Sequence, residues 1–359
     1  MIHAITLFLL FILPFIYLPF MNTPFEPPKV FVAEFLIQLL LVITVWKWKK
    51  ITVYKPALIA LGVIAFIGIW NLIQPHEQLI VFGNVFRLQG TVLMVHLMAF
   101  ALVGQRFKPK NISWMVPFIA IVLLLLSALF IPPNQSGRYI GTLGEPNALA
   151  AVAVVLFPFV FFYSSRKIKI ITALLVTTLL YLTGSHSGLI AFCIELLFVI
   201  LYRRQWRLRS ILAICFICVA LSYALPMIDV SGVFENRLEI WKTGILAGDR
   251  YPFTGSGFGN AENVMRTIAK ANESPVQYAY VDSAHNIFID WFIQTGLIGL
   301  SAFMFLMVSA VKAHTRSKHI PALVAFVGYI TMASFNPLSV CSLVFLWWFL
   351  GEGIGVDER

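Results

Sequence analysis

Continuous runs of apolar residues, each close to the length of about 18 that crosses a bilayer as helix, recur from the first residues of this chain to the last. No other feature restricts the fold as strongly. In hydrocarbon every backbone N–H and C=O must be satisfied internally, which leaves helices and closed barrels. The runs are unbroken rather than alternating, so an outer-membrane barrel is excluded. Only 12% of the side chains are charged, against about 25% in soluble domains, which excludes a single soluble core. The chain therefore reads as an all-α polytopic membrane protein with about twelve transmembrane helices. The spans are expected near 5–21, 30–46, 56–73, 91–105, 114–131, 147–163, 170–184, 187–202, 210–226, 286–311, 321–335 and 338–355.

The charges then sort by loop. One set of alternate loops and ends, running through Lys47, Arg106, Arg166, Arg203, Lys312 and Arg359, holds 18 of the 26 basic residues. The positive-inside rule makes that set cytoplasmic. Both termini are expected inside, and the net charge of +10 is a topology signal rather than a nucleic-acid signal. The first span has no basic segment before it and no small-residue cleavage site, so it is expected to be retained. Three regions follow: helices one to nine over 1–226, an extracytoplasmic loop with short amphipathic helices over 227–285, and helices ten to twelve over 286–359. Cys193, Cys215, Cys218 and Cys341 all fall inside spans. They read as small packing residues rather than metal or redox ligands.

Polar residues concentrate in the outer segments. The first outer turn, N-T-P-F-E-P-P-K, is stiffened by three prolines. The segment F-G-N-V-F-R-L-Q-G carries Arg87 among apolar residues suited to a membrane surface. The next carries Arg138, Glu145 and Asn147, with Pro146 at a first helical turn. His186 sits at the tip of T-G-S-H-S-G. In the long loop, R-L-E-I-W-K-T-G-I-L-A-G reads as a short helix with Leu238, Trp241 and Ile245 on one face and Arg237 a turn from Trp241. A second short helix is expected from Glu262 to Ala271. Between them Gly255, Gly257 and Gly259 alternate. A dinucleotide site would need a βαβ unit that is absent, so these glycines are expected to let the backbone approach another element closely.

The long loop ends at D-S-A-H-N-I-F-I-D, where the tenth span begins. Asp282 or Ser283 is expected to cap that helix. A helix N-terminus disfavours an imidazolium, so His285 is biased towards the neutral form that serves as a general base. Arg87, Arg138, Arg237 and Arg250 share its side of the membrane, and arginines at a headgroup layer suit either a lipid-linked diphosphate or phospholipid headgroups.

His285-Asn286, nine residues, then Gly296-Leu-Ile-Gly299 fit the pattern H-[NSQ]-x9-G-x-x-G. Together with R-L-E-I-W-K, Y-P-F-T-G-S-G-F-G-N, G-T-L-G-E-P-N-A-L-A and F-G-N-V-F-R-L-Q-G, it resembles the O-antigen ligase/polymerase superfamily of bacterial envelope glycosyltransferases, closest to its ligase-like members. The chain departs from the family at two positions. Trp241 stands where an arginine-motif leucine is common, and His186 stands where the family commonly has arginine.

The resemblance implies a GT-C-like fold and a glycan donor on undecaprenyl diphosphate. It further implies a lipid, glycan or protein acceptor and an active site on the outer face of the bacterial inner membrane. It implies no cofactor, no metal and no nucleic-acid partner, with membrane lipids as surroundings. By the same resemblance His285 and Arg237 are catalytic. Arg138, Arg87 and His186 bind diphosphate, and Asn286, Asp282, Trp241, Tyr251 and Tyr280 orient the histidine or contact sugar. A polymerase of the same superfamily differs only in acceptor. A secondary transporter would instead rely on mid-membrane acids such as Glu195, and the first half of the chain shows no repeat in the second.

Overall fold

The structure, a computed structural model, describes residues 1–46, 53–74, 79–105, 112–224, 237–272, 274 and 281–355. The described chain is an all-α polytopic membrane protein. Twelve helices correspond to the twelve expected spans: α1 (Ile2–Leu7), α2 (Glu26–Trp46), α3 (Lys55–Ile73), α5 (Thr91–Gly104), α6 (Met115–Phe130), α7 (Pro146–Tyr163), α8 (Arg166–Thr183), α9 (His186–Arg203), α10 (Leu208–Ala224), α13 (Ile287–Arg316), α14 (Ile320–Ala333) and α15 (Val340–Ile354). Three short helices complete the set: α4 (Leu79–Phe82), α11 (Arg237–Asp249) and α12 (Ala261–Ala271). Among these, α2, α3, α7, α9 and α13 are long and apolar enough to cross a membrane by themselves.

Helices α7, α14 and α15 are the most enclosed. Every residue of α15 is buried, so it reads apolar all round, as a helix inside a bundle does. Trp347, Trp348 and Phe349 fill that interior, with α3, α5 and α13 packed around α15. The first span ends earlier than the expected 5–21. Beyond α1 it passes through a π turn (Phe8–Ile12) and a 3-10 turn (Leu13–Phe15), and Ile16 is extended. Pro19 restricts Leu18 to extended backbone, so the helix cannot resume there.

Polar contacts between segments hold the two ends of the described bundle. At one end the starts of α2, α7 and α15, the 83–90 segment and the approach to α13 interlock. Arg87 and Gln89 donate to the Leu338 carbonyl, Val340 N–H donates to Glu26, and Lys29 donates to the carbonyls of Phe25 and Thr142. At the opposite, basic end Tyr54 N–H donates to Ile354.

The described part of the long loop is docked, and of the expected α11 face Trp241 alone is buried. Leu238 and Ile245 are exposed, whereas Ile240, Trp241, Gly244, Ala247 and Gly248 are buried. The reason is steric. Gly244 fits against Ala284 and Ile289, and Gly248 against Phe292, so the glycine side of α11 approaches α13 closely and leaves Leu238 and Ile245 outward.

Helix α13 is broken at Gly296, whose φ is 64° and ψ −171°. The Tyr251–Asn260 loop inserts at this break. Ser256 and Gly257 donate to the carbonyls of Ile293 and Gln294. Leu297 and Ile298 N–H groups, which an unbroken helix would direct to those same carbonyls, donate to Pro252 and Phe253. A Cβ on Gly296 would collide with the Phe253 carbonyl, and one on Gly255 with the Gln294–Thr295 peptide. The alternating glycines thus do allow a close backbone approach, and the partner is α13 itself. Asn71 of α3 donates to the Thr254 carbonyl from the other side.

Gly296→Ala is expected to lose about 1–3 kcal/mol or more, because it adds left-handed strain to a backbone clash. Gly62→Ala, where the new Cβ meets nothing within 4 Å, should be neutral to mildly stabilising. Thermal unfolding of the two variants in detergent checks this pair.

Candidate active site

His285 stands at the mouth of α13 in a left-handed conformation, with φ 53°. That region is costly for a residue with a side chain and persists only where neighbours enforce it. Three side chains do so. Ser283 Oγ accepts from His285 N–H at 3.1 Å, and Asp290 Oδ1 accepts from Ala284 N–H at 2.7 Å. Asn286 Oδ1 accepts from Phe288 and Ile289 N–H at 3.0 and 3.3 Å. The cap is therefore Asn286 rather than Asp282 or Ser283. His285 falls one residue before it, beside the helix end.

The two imidazole nitrogens face different surroundings. Nδ1 is buried with no hydrogen-bond partner among the described residues. Nε2 lies 3.9 Å from Asp282 Oδ1, too far for a hydrogen bond and close enough for both to meet one bound hydroxyl. Asp282 also binds the Arg87 guanidinium through Nε. A second acid, Glu145, lies 3.8 Å from Arg87. Burial works against the Arg87 charge, but Asp282 and then Glu145 outweigh it and raise the guanidinium pKa. At Glu145 burial wins. It pushes the carboxyl up against the pull of Arg87 and the weaker pull of Arg138, with Asp282 and Glu26 adding to the rise.

Arg87 and Asp282 form a wall between two cavities. One, of about 80 Å³, is lined by Asn84, Gln89, Asp290, Trp291 and Gln294. The other, of about 290 Å³, is lined by Phe25, Glu26, Phe86 and Glu145. Beside Glu145, the Arg138 guanidinium donates to the Thr183 carbonyl at 2.7 Å and to Asn147 Oδ1 at 2.9 Å. Ser185 donates to the same Asn147 oxygen. The chain continues through Ser187 to Asn336.

The residues singled out by sequence thus divide. Arg87, Asp282, His285 and Asn286 come together, with Arg138 anchored nearby through Asn147 and within electrostatic reach of Glu145. His186 occupies the first turn of α9 with its side chain exposed. Arg138 from another segment reaches the 183–185 backbone beside it. Arg237 is buried at the start of α11. Trp241 is 7% exposed and packs among Tyr223 and Phe335, with centroids at 5.5 and 6.2 Å, so its ring serves the helix packing. Tyr251 lies half-buried beneath the Arg250 guanidinium, 5.9 Å away. Tyr280 lies outside the described residues. Sequence reasoning passed over Asn84, Gln89 and Gln294, whose amides line the smaller cavity. Their only signal was the rarity of polar groups in so apolar a chain.

A broken spanning helix with a strained histidine at its mouth and a buried arginine–carboxylate cluster beside it defines a polytopic membrane protein with a polar site at one end of the bundle. A family model described as O-antigen ligase matches residues 171–304, a stretch that includes His186, Arg237, the Tyr251–Asn260 loop, His285, Gly296 and Gly299. That match supports the O-antigen ligase/polymerase superfamily, whose members are membrane glycosyltransferase-like enzymes. No curated protein matches it.

The raised pKa of Glu145 sets a pH dependence. Protonation of a carboxyl whose folded pKa is raised favours the fold at low pH. That contribution is lost as pH rises from the ordinary carboxyl range through the folded value. Glu145→Gln is therefore expected to melt at or slightly above the wild-type temperature at pH 8, with the gap closing below pH about 4. The effect stays modest because 29% of the Glu145 side chain is exposed. Melting curves across pH check it.

Proposed function

We propose that the chain is an O-antigen ligase-like glycosyltransferase. It moves a glycan from undecaprenyl diphosphate to an acceptor hydroxyl at the outer face of the bacterial inner membrane, without a metal in the reaction. The observation that carries this reading is the His285 environment: a strained backbone, a buried Nδ1, and an Nε2 that lies 3.9 Å from Asp282 Oδ1. With Nδ1 holding the proton, Nε2 is the base that removes the acceptor proton as the hydroxyl oxygen attacks the anomeric carbon. The bond from that carbon to the diphosphate oxygen breaks, and the configuration inverts.

Asp282 orients the histidine and the acceptor. Asn286 and Asp290 hold the backbone that presents the imidazole. The leaving diphosphate needs cations, and charge-assisted bonds to it contribute about 1.5–3 kcal/mol each. Arg138 and Arg237 supply them, with Arg87 exchanging one of its carboxylates for phosphate. Arg138 takes the place of the arginine that the family has where this chain has His186, since its guanidinium already sits on that turn. The 227–285 segment is the extracytoplasmic loop of this enzyme, and the basic end of the bundle is cytoplasmic.

Purified protein, a lipid-linked donor and candidate lipid, glycan or protein acceptors test the reading. His285→Ala is expected to slow transfer by about 10²–10⁴-fold, the usual loss of a general base. Arg138→Ala should raise the donor KM, and His186→Ala should stay close to wild type. Transfer at the normal rate in His285→Ala would end the proposal.

A further inference from the structure

At the basic end of the bundle a second cluster of ligand-type side chains stands apart from the site above. His314 lies in the last turn of α13, His319 is the residue before α14, and Glu352 lies near the end of α15. Their donor atoms all fall within 4.8 Å of one another. His314 and Glu352 are buried, at 0% and 4% exposure. The turn between the two histidines is built to bring them together. Lys318 adopts a left-handed φ of 55°, His319 N–H donates to the His314 carbonyl at 3.1 Å, and Ser317 Oγ donates to Ala313.

We propose that His314, His319 and Glu352 bind a divalent transition metal, zinc in the first instance, which pins the ends of α13, α14 and α15. Two imidazoles and one carboxylate are a donor set that suits zinc, whose bonds to such atoms are about 2.0–2.2 Å. A tetrahedral arrangement at those lengths separates ligand atoms by roughly 3.4 Å, which small side-chain rotations reach from the observed spacing. A buried carboxylate is costly in an apolar bundle, and a cation shared with two imidazoles offsets that cost. The carbonyl end of α13 adds a favourable potential for positive charge. Glu352 also lines a cavity of about 620 Å³, which gives the ion a way in. Lys312 and Arg316 line the same cavity, and both side chains are exposed to solvent. Water therefore screens their repulsion.

The site is independent of the proposed transferase chemistry. The unbroken stretch of α13 from Leu297 to His314 alone separates it from the Gly296 break by about 26 Å, at 1.5 Å per residue. The test uses full-length untagged protein, incubated with zinc chloride and desalted, with metal content read by mass spectrometry. Wild type is expected to retain about one zinc per chain, and so is His285→Ala, while His314→Gln and Glu352→Gln retain almost none. Cobalt(II) on wild type should give the intense visible bands of a tetrahedral site. Wild type without zinc and without those bands overturns the proposal and leaves an imidazole–carboxylate hydrogen-bonded cluster in its place. Variants that keep the full metal content overturn it as well. If the variants fail to fold, the cobalt spectrum of the wild type decides. A dead His285→Ala with intact zinc separates the two sites.

Discussion

The constraint on which the rest of this structure depends is the supply of hydrogen-bond partners where α13 breaks. A helix in or near hydrocarbon cannot leave two carbonyls and two N–H groups unpaired, since each orphan costs several kcal/mol. Here one loop supplies all four partners, two donors and two acceptors, over the six residues from Pro252 to Gly257. The break and the loop therefore form one unit. Because that loop is fixed, α12 and α11 on either side of it are fixed too, and α11 in turn packs against Ala284, the residue before the histidine.

A second level of organisation is electrostatic. Arg87, Asp282 and Glu145 come from three segments far apart in the chain, and each is only partly exposed. Removing Arg87 leaves the Asp282 carboxylate desolvated and unpaired, which costs more than the cluster contributes as a whole. The 83–90 segment, the α6–α7 connection and the approach to α13 are thus committed to one another. Lys29, fully buried on two carbonyls, ties the first outer turn into the same end. An anionic ligand entering here meets a site already balanced in charge, so it must exchange for a carboxylate rather than fill an open cationic patch.

Much of this was legible beforehand, for identifiable reasons. The all-α polytopic fold follows from uninterrupted apolar length, a signal that tertiary context cannot reverse in a bilayer. The two short loop helices and the close approach of the 255–259 glycines were also readable, since glycine at such density has few other uses. The partner of those glycines was not, because nothing local says that Gly296, nested in an apolar run, adopts φ of 64°. The side of α11 that meets α13 was not readable for a related reason. Pattern reading weighs large apolar side chains, whereas Gly244 and Gly248 decide the contact by being small. Asn286 outcompeted Asp282 as the cap because Asp282 is held by Arg87. His285 could be singled out in sequence, but its left-handed backbone could not.

The interruption at Gly296 also divides α13 by length. From Leu297 to Arg316 the helix extends for about 30 Å at 1.5 Å per residue, the thickness of a typical hydrocarbon core. The turns before it are held by the inserted loop. Hydrophobic mismatch in a thinner or thicker bilayer is thus taken up by tilt of the long half. The short half keeps its bearing on Arg87 and Asp282, so the geometry at the histidine is insulated from the lipid composition around it.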